Sequence, residues 1–98
     1  MQSNPENRET PRFAHEATVM IENYPSGKYH EGRMHNYSRA GMYFESDFKP
    51  TVGTDLFIGI EDSPYSSGHD VRRARVMWCN KLPDKASFFY YGVGVKYY

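Results

Sequence analysis

The chain lacks several features that define common protein classes. It contains one cysteine, Cys79, so no intramolecular disulfide can form, and its cysteine content gives secretion no support. Its longest apolar stretches, such as Leu56–Ile58, are far too short to span a bilayer. The N-terminus has neither the basic start nor the apolar run of a signal peptide. We therefore expect a soluble cytoplasmic protein that does not associate with membranes.

The chain also lacks an excess of charge of one sign. Lys and Arg together number 12, and so do Asp and Glu. Binding to DNA or RNA through a broad basic surface depends on neutralising many phosphates at once, so we expect no such partner. A few well-placed arginines could still bind a small anion. The charge pattern therefore favours a local site.

Helical periodicity and internal repeats are absent as well, whereas aromatic residues make up 16% of the 98 residues. Aromatic residues suit half-buried pleated surfaces and indicate an all-β domain. Turn signals separate six candidate strands: Phe13–Glu22, Lys28–Tyr37, Met42–Ser46, Thr54–Glu61, Val71–Asn80 and Phe88–Tyr97. Strands at this spacing predict one six-stranded antiparallel β-barrel over residues 13–98.

Residues 1–12 differ in composition from this barrel. They are polar and interrupted by prolines, and they contain no aliphatic residue after the first methionine, so we expect a flexible arm. The arm carries Arg8 and Arg12, and Pro11 disfavours a helix through them. A guanidinium offers a planar fork of donors that matches phosphate oxygens and the O6/N7 edge of guanine. The alternative interpretation is a pair of solvated surface arginines.

A second polar element, Asn36–Gly41, lies where the second and third strands meet and reads Asn-x-Ser-x-x-Gly. Asn36 and Ser38 place short donors and acceptors near the backbone, and Gly41 permits a tight turn or the close approach of a ligand. Taken alone, the element could equally be an ordinary β-turn.

Together, the two elements resemble the signature of the PilZ domain family, an Arg-x-x-x-Arg arm followed some tens of residues later by Asp/Asn-x-Ser-x-x-Gly. The matching residues are Arg8, Arg12, Asn36, Ser38 and Gly41. Two later stretches, Ala74–Trp78 and Tyr91–Val95, are similar to the late strands of the family, so the resemblance extends over residues 8–97.

The resemblance implies a bacterial receptor whose barrel binds cyclic di-GMP on its outer surface, with the arm folding over the ligand. It implies that Arg8 and Arg12 contact phosphates and guanine edges, that Asn36 and Ser38 hydrogen-bond guanine or phosphate, and that Gly41 keeps the surface clear. The implied protein is not an enzyme and needs no metal or other cofactor. It orders its arm on binding and signals to an unknown downstream protein partner.

Trp78 has two interpretations. Strand alternation places it in the core with Ala74 and Val76. The resemblance instead places a tryptophan near the ligand, where the ring could support a base or an arginine.

The chain departs from the family pattern in two ways. Asn36 stands where an aspartate is common, which removes a charge-assisted pair with a guanine edge. The sequence also stops at Tyr98 with no room for the C-terminal helix that is common in the family, so we expect that helix to be absent.

Two other functions compete with the receptor hypothesis. A protein-interaction barrel that binds no nucleotide would leave the arginines without a ligand. A single-stranded nucleic-acid barrel would need a basic, aromatic surface for stacking bases, whereas the dense basic cluster here is confined to Arg72, Arg73 and Arg75. The histidines show no zinc-ligand spacing, and no nucleophile elbow, phosphate loop or paired acid and base occurs.

Overall fold

The computed structural model describes residues 11–23, 26–67, 69–83 and 88–98. Its strands are β1 (Phe13–Asn23), β2 (Lys28–Ser38), β3 (Gly41–Ser46), β4 (Asp55–Ile60), β5 (Asp70–Lys81) and β6 (Tyr91–Tyr97). They close into a barrel in the order β1-β2-β3-β6-β5-β4, and neighbouring strands are antiparallel throughout. The predicted fold, an all-β six-stranded antiparallel barrel, is confirmed. Because the barrel is closed, every strand is paired on both sides. In the part of the chain that the structure describes, no strand edge is left to pair with another molecule and cause aggregation, which matters in a chain this rich in strand-forming residues.

The bounds of the first five strands differ from the predicted ones by single residues, but β6 begins later than predicted. Residues 88–90 form a bend instead of the first part of the strand. The Tyr90 amide donates to Asp47 Oδ1 at 3.0 Å, and the Tyr90 carbonyl accepts from the Leu82 amide at 2.7 Å. These bonds turn the chain before it pairs with β3. The described ranges contain no helix, and therefore none that is long and apolar enough to cross a membrane.

The core fills the interior of the barrel with alternate residues from every strand. In β4, for example, Leu56, Ile58 and Ile60 are fully buried, as the sequence pattern predicted. The buried apolar residues are Ala17, Val19, Ile21, Met34, Met42, Phe44, Leu56, Ile58, Ile60, Ala74, Val76, Val93 and Val95. Burial of a large aliphatic side chain contributes about 1.5–3 kcal/mol to the free energy of unfolding, so these residues supply the main stabilisation of the barrel.

Contrary to the prediction from strand alternation, Trp78 does not share the inward face of Val76, because the register of β5 shifts between these two residues. Val76 pairs with Val95, but the next paired residue is Trp78, opposite Gly94. The extra residue, Met77, is typical of a β-bulge, and it reverses the face taken by the residues that follow. Met77 is 48% exposed and Trp78 is 42% exposed, so both point outward. The interpretation of Trp78 as a core residue is wrong.

A similar shift in β2 turns Asn36 outward. Met34 pairs with Phe44, and the next paired residue of β2 is Asn36, opposite Tyr43. Met34 is fully buried, so strict alternation would have directed Asn36 into the core as well. With His35 as the extra residue, Asn36 lies on the outer surface beside Tyr43.

Candidate functional site

A groove of about 790 Å³ crosses the outer surface of the barrel where β2, β3, β5 and β6 lie side by side. The predicted site residues that line it are Arg12, Asn36, Ser38, Gly41 and Trp78. The remaining predicted residue, Arg8, lies outside the described residues, as does most of the predicted arm. The structure thus gathers residues from the arm, two strand ends and the β5 bulge into one place, and their roles toward a ligand stay predictions.

Arg12 immediately precedes β1, and its side chain lines the groove. Its Nε donates to Asn36 Oδ1 at 2.8 Å, because the pairing of Ala14 with Asn36 brings the start of β1 beside the end of β2. Arginine has no acceptor, so this bond fixes the Asn36 amide with its oxygen toward Arg12. The terminal guanidinium nitrogens and the Asn36 amide nitrogen are therefore the donors that this pair can offer to an anion or a guanine edge.

The turn from Ser38 to Gly41 forms one end of the groove. Ser38 is only 1% exposed, and its Oγ accepts from the Ala40 amide at 3.1 Å, which closes the turn. A Cβ on Gly41 would lie 2.0 Å from the Val95 carbonyl oxygen, so β3 could not approach β6 as closely with any other residue. In this structure both residues shape the backbone of the turn. Direct contact between Ser38 and a ligand remains a prediction.

An aromatic pair forms the opposite part of the groove. Tyr43 on β3 and Trp78 on β5 both lie opposite Gly94, and their rings stack across it with centroids 5.6 Å apart and an interplanar angle of 21°. The Tyr43 hydroxyl donates to Glu45 Oε2 at 2.7 Å, which holds the phenol ring in place. Burial and this hydrogen bond raise the pKa of Tyr43, so the phenol stays protonated at neutral pH. The pair presents flat apolar surface to the groove.

Sequence reasoning missed Tyr43, Met77 and Lys96, which also line the groove. Alternation around the core residues Phe44 and Val95 does direct Tyr43 and Lys96 outward, but only the strand order shows that β3 and β6 are neighbours. Met77 is outward by plain alternation after buried Val76, and the bulge places outward Trp78 directly beside it. Exposed Lys96 adds a second cation to the groove beside Arg12.

The described part of the chain contains no group of three or more His, Cys, Asp or Glu residues placed to hold a metal ion. Cys79 is half-buried in β5, and burial raises the pKa of its thiol. A protonated thiol is a poor nucleophile, so the side chain is suited to packing in the strand.

The fold and the groove together define a class of small closed β-barrels that present a polar and aromatic surface on the outside of the wall. A sequence model of the PilZ domain matches residues 6–98. The chain therefore belongs to the PilZ domain family, and the resemblance inferred from the motifs is confirmed.

Among solved structures, the chain is similar to the PilZ domain of YcgR from Escherichia coli, which was determined with c-di-GMP. The two share 11% sequence identity with a TM-score of 0.70, and the match covers 92% of this chain and 76% of that one. At this identity the likeness shows the fold. A search of curated proteins gave no significant match.

Proposed function

We propose that this chain is a cyclic di-GMP receptor domain that binds its ligand in the groove between Arg12 and the Tyr43–Trp78 pair. The observation that carries the proposal is the convergence of two separate motifs on one outward groove: Arg12 lies there beside Asn36 and Gly41, although 24 residues of sequence separate Arg12 from Asn36. Membership of the PilZ family and the fold shared with a c-di-GMP-bound domain support the same ligand.

The chemistry of the groove suits a doubly anionic dinucleotide. Arg12 and Lys96 supply positive charge for the phosphates, and a guanidinium can also pair with the O6/N7 edge of guanine. The Tyr43–Trp78 pair offers a surface on which a purine can stack, and stacking of a base on an aromatic ring contributes about 1–3 kcal/mol. Asn36 supplies an amide donor to the same ligand. The groove therefore combines charge, directional hydrogen bonds and stacking.

In this proposal, ordering of the N-terminal arm is the conformational change that transmits ligand binding to a partner. Arg8 and Arg12 close over the ligand and order residues 1–12 across the barrel, which creates a surface that a downstream protein partner recognises. The support for this step is the composition of the arm, which offers no aliphatic side chain to pack before a ligand is present. The protein acts as a receptor without catalysis in the bacterial cytoplasm, and neither DNA nor RNA is its partner.

The test is isothermal titration calorimetry of the purified protein with cyclic di-GMP, beside Arg12→Ala and an Arg8→Ala/Arg12→Ala double variant. A hydrogen bond to a charged group contributes about 1.5–3 kcal/mol, so loss of Arg12 should weaken binding roughly ten- to a hundredfold. Arg33→Ala is the matched control, because Arg33 is an exposed arginine that pairs with Glu16 at 3.1 Å and does not line the groove. We expect wild-type affinity for that control.

GTP and single-stranded RNA complete the experiment as competing ligands. Saturable binding of cyclic di-GMP alone, weakened by Arg12→Ala but not by Arg33→Ala, supports the receptor. Absence of cyclic di-GMP binding would assign the domain to protein interaction, and a response to RNA alone would assign it to single-stranded nucleic acid.

A further inference from the structure

The turn between β2 and β3 is held from outside the groove by Tyr65, a residue of the loop between β4 and β5. The Tyr65 hydroxyl lies 2.7 Å from the Ser38 carbonyl oxygen and 3.3 Å from the Gly41 carbonyl oxygen. Ser38 and Gly41 line the groove, whereas Tyr65 does not. A single side chain thus contacts both ends of the turn without being part of the groove surface.

The direction of these hydrogen bonds follows from their partners. Carbonyl oxygens can only accept, so the Tyr65 hydroxyl donates its one hydrogen to the turn. The Tyr97 hydroxyl, 2.6 Å away, must then donate to Tyr65. Tyr97 also binds the turn through its backbone, because its amide donates to the Ala40 carbonyl at 2.8 Å. Burial raises the pKa of both Tyr65 and Tyr97, which keeps both hydroxyls protonated as donors.

Tyr65 is itself fixed on three sides. Its backbone amide donates to Ser63 Oγ at 3.0 Å, and that hydroxyl donates to Asp70 Oδ2 at 2.9 Å. The guanidinium of Arg72 lies 4.2 Å from the centre of the Tyr65 ring and is anchored to Asp70 at 2.8 Å. The ring also meets Tyr37 edge-on at 5.4 Å. The hydroxyl is therefore presented to the turn by a rigid support.

We propose that Tyr65 is a positioning residue for cyclic di-GMP binding: its hydroxyl fixes the turn from Ser38 to Gly41 in the conformation that receives the ligand. This inference rests on the proposed function, because it concerns the same groove. In this proposal, ligand affinity also depends on the loop between β4 and β5, which contains no motif residue.

The test is Tyr65→Phe, which removes the hydroxyl and keeps the ring. We expect the affinity for cyclic di-GMP, measured by calorimetry, to fall roughly three- to thirtyfold, since two carbonyl groups of the turn lose a partner. Amide hydrogen exchange at Ala40 and Gly41 should become faster in the ligand-free variant.

The matched control is Ser46→Ala, at the end of β3 distant from the turn. Ser46 is fully buried, and its Oγ donates to the Glu31 carbonyl at 2.7 Å, so the control also removes a hydroxyl bound to a strand carbonyl. It should lower the melting temperature to a similar extent and leave the affinity at the wild-type value.

Three results have distinct meanings. Weaker binding by Tyr65→Phe than by Ser46→Ala at comparable stability supports the positioning role. Equal affinities of Tyr65→Phe and the wild-type protein, or equal losses in the two variants, would overturn it and leave the receptor standing. If the wild-type protein fails to bind cyclic di-GMP, both the positioning role and the proposed function are wrong.

Discussion

Replacement of Gly94 by alanine tests whether this position must lack a side chain for the aromatic pair to form. A Cβ at Gly94 would lie 2.2 Å from Trp78 Nε1 and 2.3 Å from Trp78 Cε2, whereas ordinary contact begins near 3.4 Å. The indole must therefore move by about 1 Å or more, which disturbs its stacking on Tyr43. Because Trp78 is already 42% exposed, the ring can rotate into solvent without deforming the barrel.

The expected loss of stability can be worked from these contacts. Loss of aromatic stacking costs about 0.5–1.5 kcal/mol, and exposure of a further ~50 Å² of indole costs about 1.3 kcal/mol. Alanine also reduces the conformational freedom of the unfolded chain, which offsets about 0.4–1 kcal/mol of this loss. The net loss is about 1–2 kcal/mol, which corresponds to a melting temperature lower by about 5–15 °C for a domain of this size.

Trp78 is the only tryptophan of the chain, so its fluorescence reports on this site alone. Gly94→Ala should shift the emission maximum to longer wavelength and lower the urea midpoint. Gly59→Ala is the control, because a Cβ there would meet its nearest atoms at 3.7 and 3.8 Å, which is ordinary contact. Unchanged emission and stability in Gly94→Ala would refute the proposed need for glycine at this position.

Two further predictions concern charge and the arm. Hydrogen bonds from Tyr98 and Arg73 lower the pKa of Asp55 below its usual 3.8, so its contribution to stability is present above about pH 4 and is lost as pH falls through the lowered value. The difference in free energy of unfolding between wild type and Asp55→Asn should therefore shrink from pH 7 to pH 3, and a constant difference would contradict this. Saturating cyclic di-GMP should slow amide hydrogen exchange in residues 1–12, and unchanged exchange would contradict the proposed ordering of the arm.

The sequence predicted the strands and the core well because both depend on period-two alternation and on turn residues. The fully buried Leu56, Ile58 and Ile60 are an example, since their spacing alone assigns them to one face. The late start of β6 could not be predicted, because residues 88–90 are rich in strand-forming aromatics and are turned by a distant carboxylate, that of Asp47.

The motifs predicted which residues belong to the candidate site, but they did not predict how the strands arrange those residues around the groove. Asn36 and Trp78 both follow register shifts, and alternation assigns such residues to the wrong face. Tyr65 carries no motif, and its contact with Ser38 spans 27 residues of sequence. Contacts of this kind depend on which loops the closed barrel brings together, and single-sequence patterns do not contain that information.

One face of β6 packs in the core, and the other lies along the candidate groove. Val93 and Val95 belong to the buried core, whereas Gly94 and Lys96 lie on the outer face; Val95 also lines part of the groove. Truncation of Val93 leaves a cavity in the core, whereas replacement of Lys96 by a neutral residue removes a positive charge from the groove. Gly92 and Gly94 affect both, because a Cβ at Gly92 would lie 2.6 Å from the Tyr43 hydroxyl and one at Gly94 would lie 2.2 Å from Trp78 Nε1, so the stacked pair needs glycine at both positions. We therefore expect substitutions of Val93 to act mainly on stability, and substitutions of Lys96 to act mainly on the proposed binding of cyclic di-GMP.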